Sequence, residues 1–141
     1  MTDPADLAAA GWACFEVDGF TGQLGPVWVR NAGAGREIGF VAAPHHRNTH
    51  LGTVHGGVLM TFADIALGYG AVETLGDTRG ATAQLQIQFV ATAHLGDFIT
   101  CRPELVRQGA RLIFMRGLIC TGGKTVASAD GIWKVLEQKP R

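Results

Sequence analysis

Asp64 stands inside a segment, Val58 to Val72, whose other side chains are apolar apart from Thr61 and the phenol of Tyr69. An ionised carboxylate taken out of water costs several kcal/mol unless it is paired or hydrogen-bonded. On a helix, the residues three and four away from Asp64 are Met60, Thr61, Leu67 and Gly68, none of them a cation. Thr61 alone could hydrogen-bond to it from one turn below. The aspartate is therefore either a satisfied cap on some loop, or a carboxylate held for general-base or nucleophilic work. Eight residues earlier, His55-Gly56-Gly57 falls at the expected start of the same helix. Backbone amides there lack intrahelical partners and carry the positive end of the helix dipole, and the glycines leave a ligand room to approach. Such amides suit a developing oxyanion. A tight loop-to-helix entry is the plainer use of two glycines.

Along one helix, Gly56 and Asp64 lie about 12 Å apart, more than a short side chain can span. If both act on one carbonyl they must come from different chains, with two such helices side by side at a two-fold axis. Composition agrees with self-association. Only 17% of the 141 residues are charged, against the usual ~25%. Twelve Lys+Arg balance twelve Asp+Glu, so the chain has little self-repulsion and no basic field for phosphodiester backbones. The expected partners are a small-molecule substrate and copies of the same chain, a homodimer at minimum and a homotetramer beyond it. No nucleic acid or membrane is expected.

The elements that must position these residues follow from pattern. The length suits one domain, 1–141, with a helix and lead-in over 1–26 and a core over 27–136. Thr2-Asp3-Pro4 reads as a helix start, giving a short helix from Ala5 to Cys14. Val27 to Arg30 and Ile38 to Ala42 read as a hairpin turning at Gly33-Ala34-Gly35, and a polar loop runs from Pro44 to Thr53. The long helix spans Val58 to Leu75, closed by Gly76, and being apolar on every side it is expected to be buried. Strands follow at Ala81–Val90, Phe98–Arg107, Leu112–Thr121 and Thr125–Leu136. Alternation in the first of these places Thr82, Gln84, Gln86 and Gln88 on one face, with Ala83, Leu85, Ile87 and Phe89 on the other. The expected architecture is α+β: an antiparallel sheet of about six strands wrapped around one central helix.

Taken together, Asn48, the run Gly52-Thr53-Val54-His55-Gly56-Gly57 leading to Asp64, the pattern Thr82-x-x-Leu85-x-Ile87-x-Phe89, and Gly96-Asp97 resemble the hotdog-fold thioesterases. The nearest branch is the phenylacetate-pathway (PaaI-type) acyl-CoA thioesterases. The resemblance runs from about Val27 to Leu136. It implies a hotdog fold and hydrolysis of an aryl- or medium-chain acyl-CoA to free acid and CoA, with no cofactor. It also implies roles. Asp64 is the catalytic base or the nucleophile of a mixed anhydride, and the Gly56 amide of a partner chain is the oxyanion donor. His55 orients the loop and Thr82 helps to place the water. Gly57, Thr61 and His50 belong to the substrate's surroundings. The sequence departs from the family at Thr49, where relatives carry Asn; Asn48 or His50 is the candidate to take over.

Thioester chemistry fits these parts, because a thiolate leaves without strong acid help. No G-x-S-x-G elbow is present. Arg47, Arg107, Arg111 and Lys124 are candidates for the CoA phosphates. A hotdog-fold enoyl-CoA hydratase or dehydratase is the alternative, although the loop from Pro44 to Gly57 holds histidines and no carboxylate. A non-catalytic acyl-CoA-binding module is another. His46 and His50 have an i, i+4 spacing, but in a loop after Pro44 rather than on a helix and with no third ligand evident, so no metal is expected at His45, His46 or His50. Cys14, Cys101 and Cys120 form no C-x-x-C pair and are expected to be buried thiols. Trp12, Trp28 and Trp133 are expected in the core or an interface. The first residues carry neither Lys nor Arg ahead of an apolar run, which predicts a cytoplasmic protein.

Overall fold

A computed structural model describes residues 2–77 and 79–137. The outermost parts of the expected domain, Met1 and 138–141, lie outside the described residues, as does Thr78. Helix α1 (Pro4–Ala9) is capped by Asp3, whose carboxylate accepts the Ala5 N–H at 2.8 Å. It is shorter than expected, because the chain turns at Ala10-Gly11 and continues as strand β1 (Ala13–Phe15). A four-residue helix α2 (Thr21–Leu24) then precedes the hairpin of β2 (Val27–Ala32) and β3 (Gly35–Val41). A 3-10 turn at Pro44–His46 and an extended loop lead into α3 (Gly56–Leu75), which ends at Gly76 in the left-handed conformation. Strands β4 (Gly80–Phe89), β5 (Phe98–Cys101), β6 (Glu104–Gln108), β7 (Leu112–Thr121) and β8 (Lys124–Val135) complete the chain.

All strands join one antiparallel sheet of eight, not six, in the order β1-β2-β3-β5-β7-β8-β4, with β6 also on β7. Both additional strands have simple causes. Strand β1 is only three residues long, too short for a period to register. Strands β5 and β6 were expected as one, but Pro103 lacks an N–H and holds Arg102 out of the ladder.

The sheet curls around α3. Ile38, Phe40, Ile99, Ile113 and Ile119 from the strands meet Phe62, Ala63, Ala66 and Leu67 of the helix, all fully buried. The Phe40 and Phe62 rings lie 4.7 Å apart. At Gly70 an added Cβ would stand 2.5 Å from Met115 Cε and 2.8 Å from Pro103, so the helix rests on its backbone there. Trp12, Trp28 and Trp133 are buried, whereas Cys14, expected inside, is exposed. Glu37, 8% exposed, is balanced by Arg30 at 2.9 Å and Arg102 at 3.3 Å. By length and composition α3 could cross a membrane; here its apolar bulk fills the curl of the sheet.

The helix is not covered all round. Leu59, Phe62, Ala63, Ala66, Leu67, Gly70 and Ala71 are buried, while Gly57 and Met60 are exposed and Thr61, Asp64 and Gly68 are half-buried. This open strip lies beside β4, the last strand of the sheet.

Candidate active site

Asp64 lies on that open strip, half-buried rather than enclosed. Its Oδ1 accepts a hydrogen bond from Thr82 Oγ1 at 2.6 Å, and among the described residues Oδ2 has no hydrogen-bond partner. Thr61, the neighbour expected to serve Asp64, instead donates its hydroxyl to the Gly57 carbonyl at 2.9 Å. A threonine four residues past a helical carbonyl reaches back to it readily, and Thr61 is thereby used up.

Thr82 reaches Asp64 through a β-bulge. In the β4–β8 ladder Thr82 pairs with Trp133 and Gln84 with Ile132, so Ala83 is an extra residue. Paired residues share a face of the sheet. Trp133 faces the helix: an added Cβ at Gly68 would lie 3.2 Å from its Nε1. Thr82 therefore also faces the helix, and the expectation that it shares the face of Gln84, Gln86 and Gln88 is corrected. Beyond the bulge alternation holds, with those glutamines all exposed.

At the other end of the strip α3 begins at Gly56, so one continuous helix carries Gly56 and Asp64 eight residues apart. His55 is its N-cap, and His55 Nδ1 accepts the Gly57 N–H at 2.8 Å. In the neutral ring the proton then sits on Nε2. Val58 and Leu59 N–H both go to the His55 carbonyl. The Gly56 N–H is left without a partner among the described residues. Thus the two glycines differ: Gly57 spends its amide on the cap, and the Gly56 amide is left over. Phe89, at the end of β4, stands beside Gly56, its ring 3.4 Å from where a Cβ would be. Nothing in the sequence spacing pointed to that contact.

The preceding loop is strapped by a bridge between Arg47 and Val54 and by the Asn48 N–H to the Thr53 carbonyl at 2.7 Å. Thr49, His50, Leu51 and Gly52 form an exposed tip. Asn48 Oδ1 faces the His50 N–H at 3.5 Å, and neither side chain hydrogen-bonds to Asp64 or Gly56 within the chain. Of the CoA-phosphate candidates, Arg47 donates to the Thr49 carbonyl and Lys124 to the Thr92 carbonyl. A cavity of about 220 Å³ lies between α2 and the first turns of α3, with Phe20, Leu24, His46, His55, Gly57 and Thr61 in its wall.

One antiparallel sheet wrapped around a single long helix, with a loop-glycine helix start, defines the hotdog class. The chain matches the family described as the thioesterase superfamily over residues 51–128, more than half its length. It belongs to that family and is a thioester hydrolase. A Pseudomonas aeruginosa relative named "Putative esterase PA0474" is 29% identical over 111 residues, 78% of this chain and 83% of its own. Among solved structures, the Escherichia coli PaaI protein from the phenylacetic acid degradation operon superposes with a TM-score of 0.73 at 21% identity, covering 86% of this chain and 87% of that one. A hypothetical thioesterase from Streptococcus pneumoniae, solved with coenzyme A, has a TM-score of 0.72 at 25% identity, covering 91% and 99%.

Proposed function

We propose that this thioester hydrolase acts on an aryl- or medium-chain acyl-CoA, as a homodimer in which Asp64 of one protomer works on a carbonyl held by Gly56 of the partner subunit. The observation that carries this reading is the state of Asp64. One carboxylate oxygen is anchored by Thr82, the other is free, and both lie on the strip that the chain's own sheet leaves open. A dimer that lays two such strips together beside two β4 edges gives those edges a partner and brings each Asp64 towards the other helix's start. The coenzyme A in the Streptococcus pneumoniae relative supports the choice of thiol. The exposed face of Gln84, Gln86 and Gln88 is the surface through which dimers would pair into a tetramer.

In the general-base route, Oδ2 of Asp64 takes a proton from water and the oxygen adds to the thioester carbon. The Gly56 N–H holds the resulting oxyanion. Collapse breaks the C–S bond, and the leaving thiolate recovers the proton from Asp64. In the nucleophilic route Oδ2 itself adds, the thiolate leaves, and water cleaves the mixed anhydride. Both routes use the same two groups.

The test is thiol release from an acyl-CoA panel by wild type, Asp64→Asn and Gly56→Pro. Proline is tolerated at the first position of a helix, so Gly56→Pro removes the N–H while keeping α3. Each variant alone is expected to be inactive yet to bind acyl-CoA. Random mixing of the two yields half heterodimers with one intact site of two, so about one quarter of wild-type activity returns. Unaltered turnover by Asp64→Asn overturns the role of the carboxylate, and no recovery on mixing overturns the shared site. Water addition to an enoyl-CoA would favour a hydratase, and binding without turnover a carrier module.

A further inference from the structure

Trp133 is only 3% exposed, yet its indole N–H donates to no group among the described residues. The only fully enclosed side-chain nitrogen or oxygen without a partner among those residues is His46 Nε2. Trp133 Nε1 is therefore unpartnered but not sealed in; it keeps an opening to solvent. A donor buried without a partner is costly, and proteins ordinarily give one a ligand or an ordered water.

Beside that nitrogen is Gly68, where an added Cβ would stand 3.2 Å from Nε1. Gly68 lies inside α3 with a negative φ, so no turn requires a glycine there. Glycine within a helix is unfavourable relative to alanine. What the missing side chain provides is space in front of the indole N–H. Gly131 does the same beneath the ring, since a Cβ there would stand 2.7 Å from Trp133 Cζ3.

Asp64 precedes Gly68 by one helical turn, about 6 Å along α3, on the same half-buried strip. Its Oδ1 is held by Thr82, the cross-strand partner of Trp133, and its Oδ2 is unused. A carboxylate only accepts and an indole N–H only donates. Water can satisfy both, and two hydrogen bonds through one water span about 5 Å, close to the separation of groups one turn apart on a helix face.

We propose that the Trp133 Nε1–H holds the water that attacks the thioester, in the space that Gly68 leaves. The water accepts from the indole and gives one proton to Oδ2 of Asp64. Its remaining lone pair forms the C–O bond, and the indole keeps its own proton throughout. The proposal rests on the reading of Asp64 as general base and adds a catalytic residue to it.

The experiment uses Trp133→Phe, which removes the N–H and keeps a buried ring, and Gly68→Ala, which fills the water's place. A third variant carries benzothienylalanine at position 133, where sulfur replaces the N–H and the shape is kept. Hydrolysis of the best substrate in the acyl-CoA panel is followed with hydroxylamine as a competing nucleophile, corrected for the uncatalysed reaction. In each variant kcat for hydrolysis is expected to fall about tenfold with KM little changed. The ratio of hydroxamate to free acid should rise by a similar factor, because hydroxylamine does not depend on the held water. A packing fault slows both products alike, so an unaltered ratio overturns the proposal. So does a KM that rises at constant kcat, which would set the indole against the substrate instead. Failure of the Asp64 reading shows separately, as turnover that survives Asp64→Asn. A crystal structure of the wild type decides without turnover and without any variant: a water within hydrogen-bond distance of both Trp133 Nε1 and Asp64 Oδ2 is expected, and its absence overturns the proposal.

Discussion

Thr82 Oγ1 donates to Asp64 Oδ1 at 2.6 Å across a β-bulge at Ala83. The bond fixes the carboxylate's orientation and leaves its second oxygen free. It also gives an acid on an apolar helix a partner that no helical neighbour supplies.

Replacing Thr82 by valine keeps the shape and removes the hydroxyl. The expected outcome is a fall in kcat of about 10- to 100-fold, consistent with a lost orienting group. KM and the melting temperature should change little, and Thr82→Ser should restore much of the rate. Steady-state kinetics on the three proteins decide it; an unchanged kcat in Thr82→Val would show that the bond serves packing alone.

Met60, 37% exposed, lies on the open strip of α3. Met60→Lys sets a charge where two helices would meet, and a desolvated unpaired cation is strongly unfavourable. Sedimentation should show a shift to monomer, with thioester hydrolysis lost in parallel and circular dichroism preserved. A monomeric wild type of full activity would refute the shared site.

Burial holds His46 below its ordinary value of 6.5, with His45 adding to the effect. As pH falls through that ordinary value, the unfolded chain takes up a proton that the native state resists. The stability due to neutral His46 is thus full above that value and is lost below it, levelling off once the lowered native value is reached. The melting temperature should fall on acidification through this window, and less steeply in His46→Asn. Parallel slopes in the two proteins would assign the effect to another group.

The cysteines should separate by reactivity. Burial pushes the Cys101 thiol up to about 12, with Cys120 and then Glu37 adding smaller effects. Cys14 is exposed, although partial desolvation and Glu16 raise its thiol somewhat. Iodoacetamide followed by peptide mass mapping should mark Cys14 in the native protein and Cys101 only after denaturation. Early labelling of Cys101 would mean that β5 opens from the sheet.

Much of the site was legible before any coordinates. The helix with Gly76 as its stop, the His55-Gly56-Gly57 start and the lone carboxylate are local features, set by residue type and by the 3.6-residue period. The β7 and β8 spans were equally plain, set off by turns on either side, whereas β3 starts at Gly35, inside the expected turn and three residues ahead of Ile38. Strand β1 escaped notice because three residues carry no period, and the break between β5 and β6 because the residues on both sides of Pro103 read as strand.

By itself the sequence determined that one helix must carry both Asp64 and Gly56, and that they stand too far apart to share a carbonyl within one chain. Tertiary structure alone decided which hydroxyl meets the acid. Strict alternation sends Thr82 to the glutamine face, and helical spacing offers Thr61 to Asp64. The extra residue at Ala83 turns Thr82 inward, while Thr61 bonds to its own helix backbone. A bulge is a property of two paired strands, set by how β4 must follow the curl of β8 around α3, and no single strand's pattern records it. The same holds for His46: its burial beneath α2 arises from packing between segments twenty residues apart, which spacing within one segment cannot express.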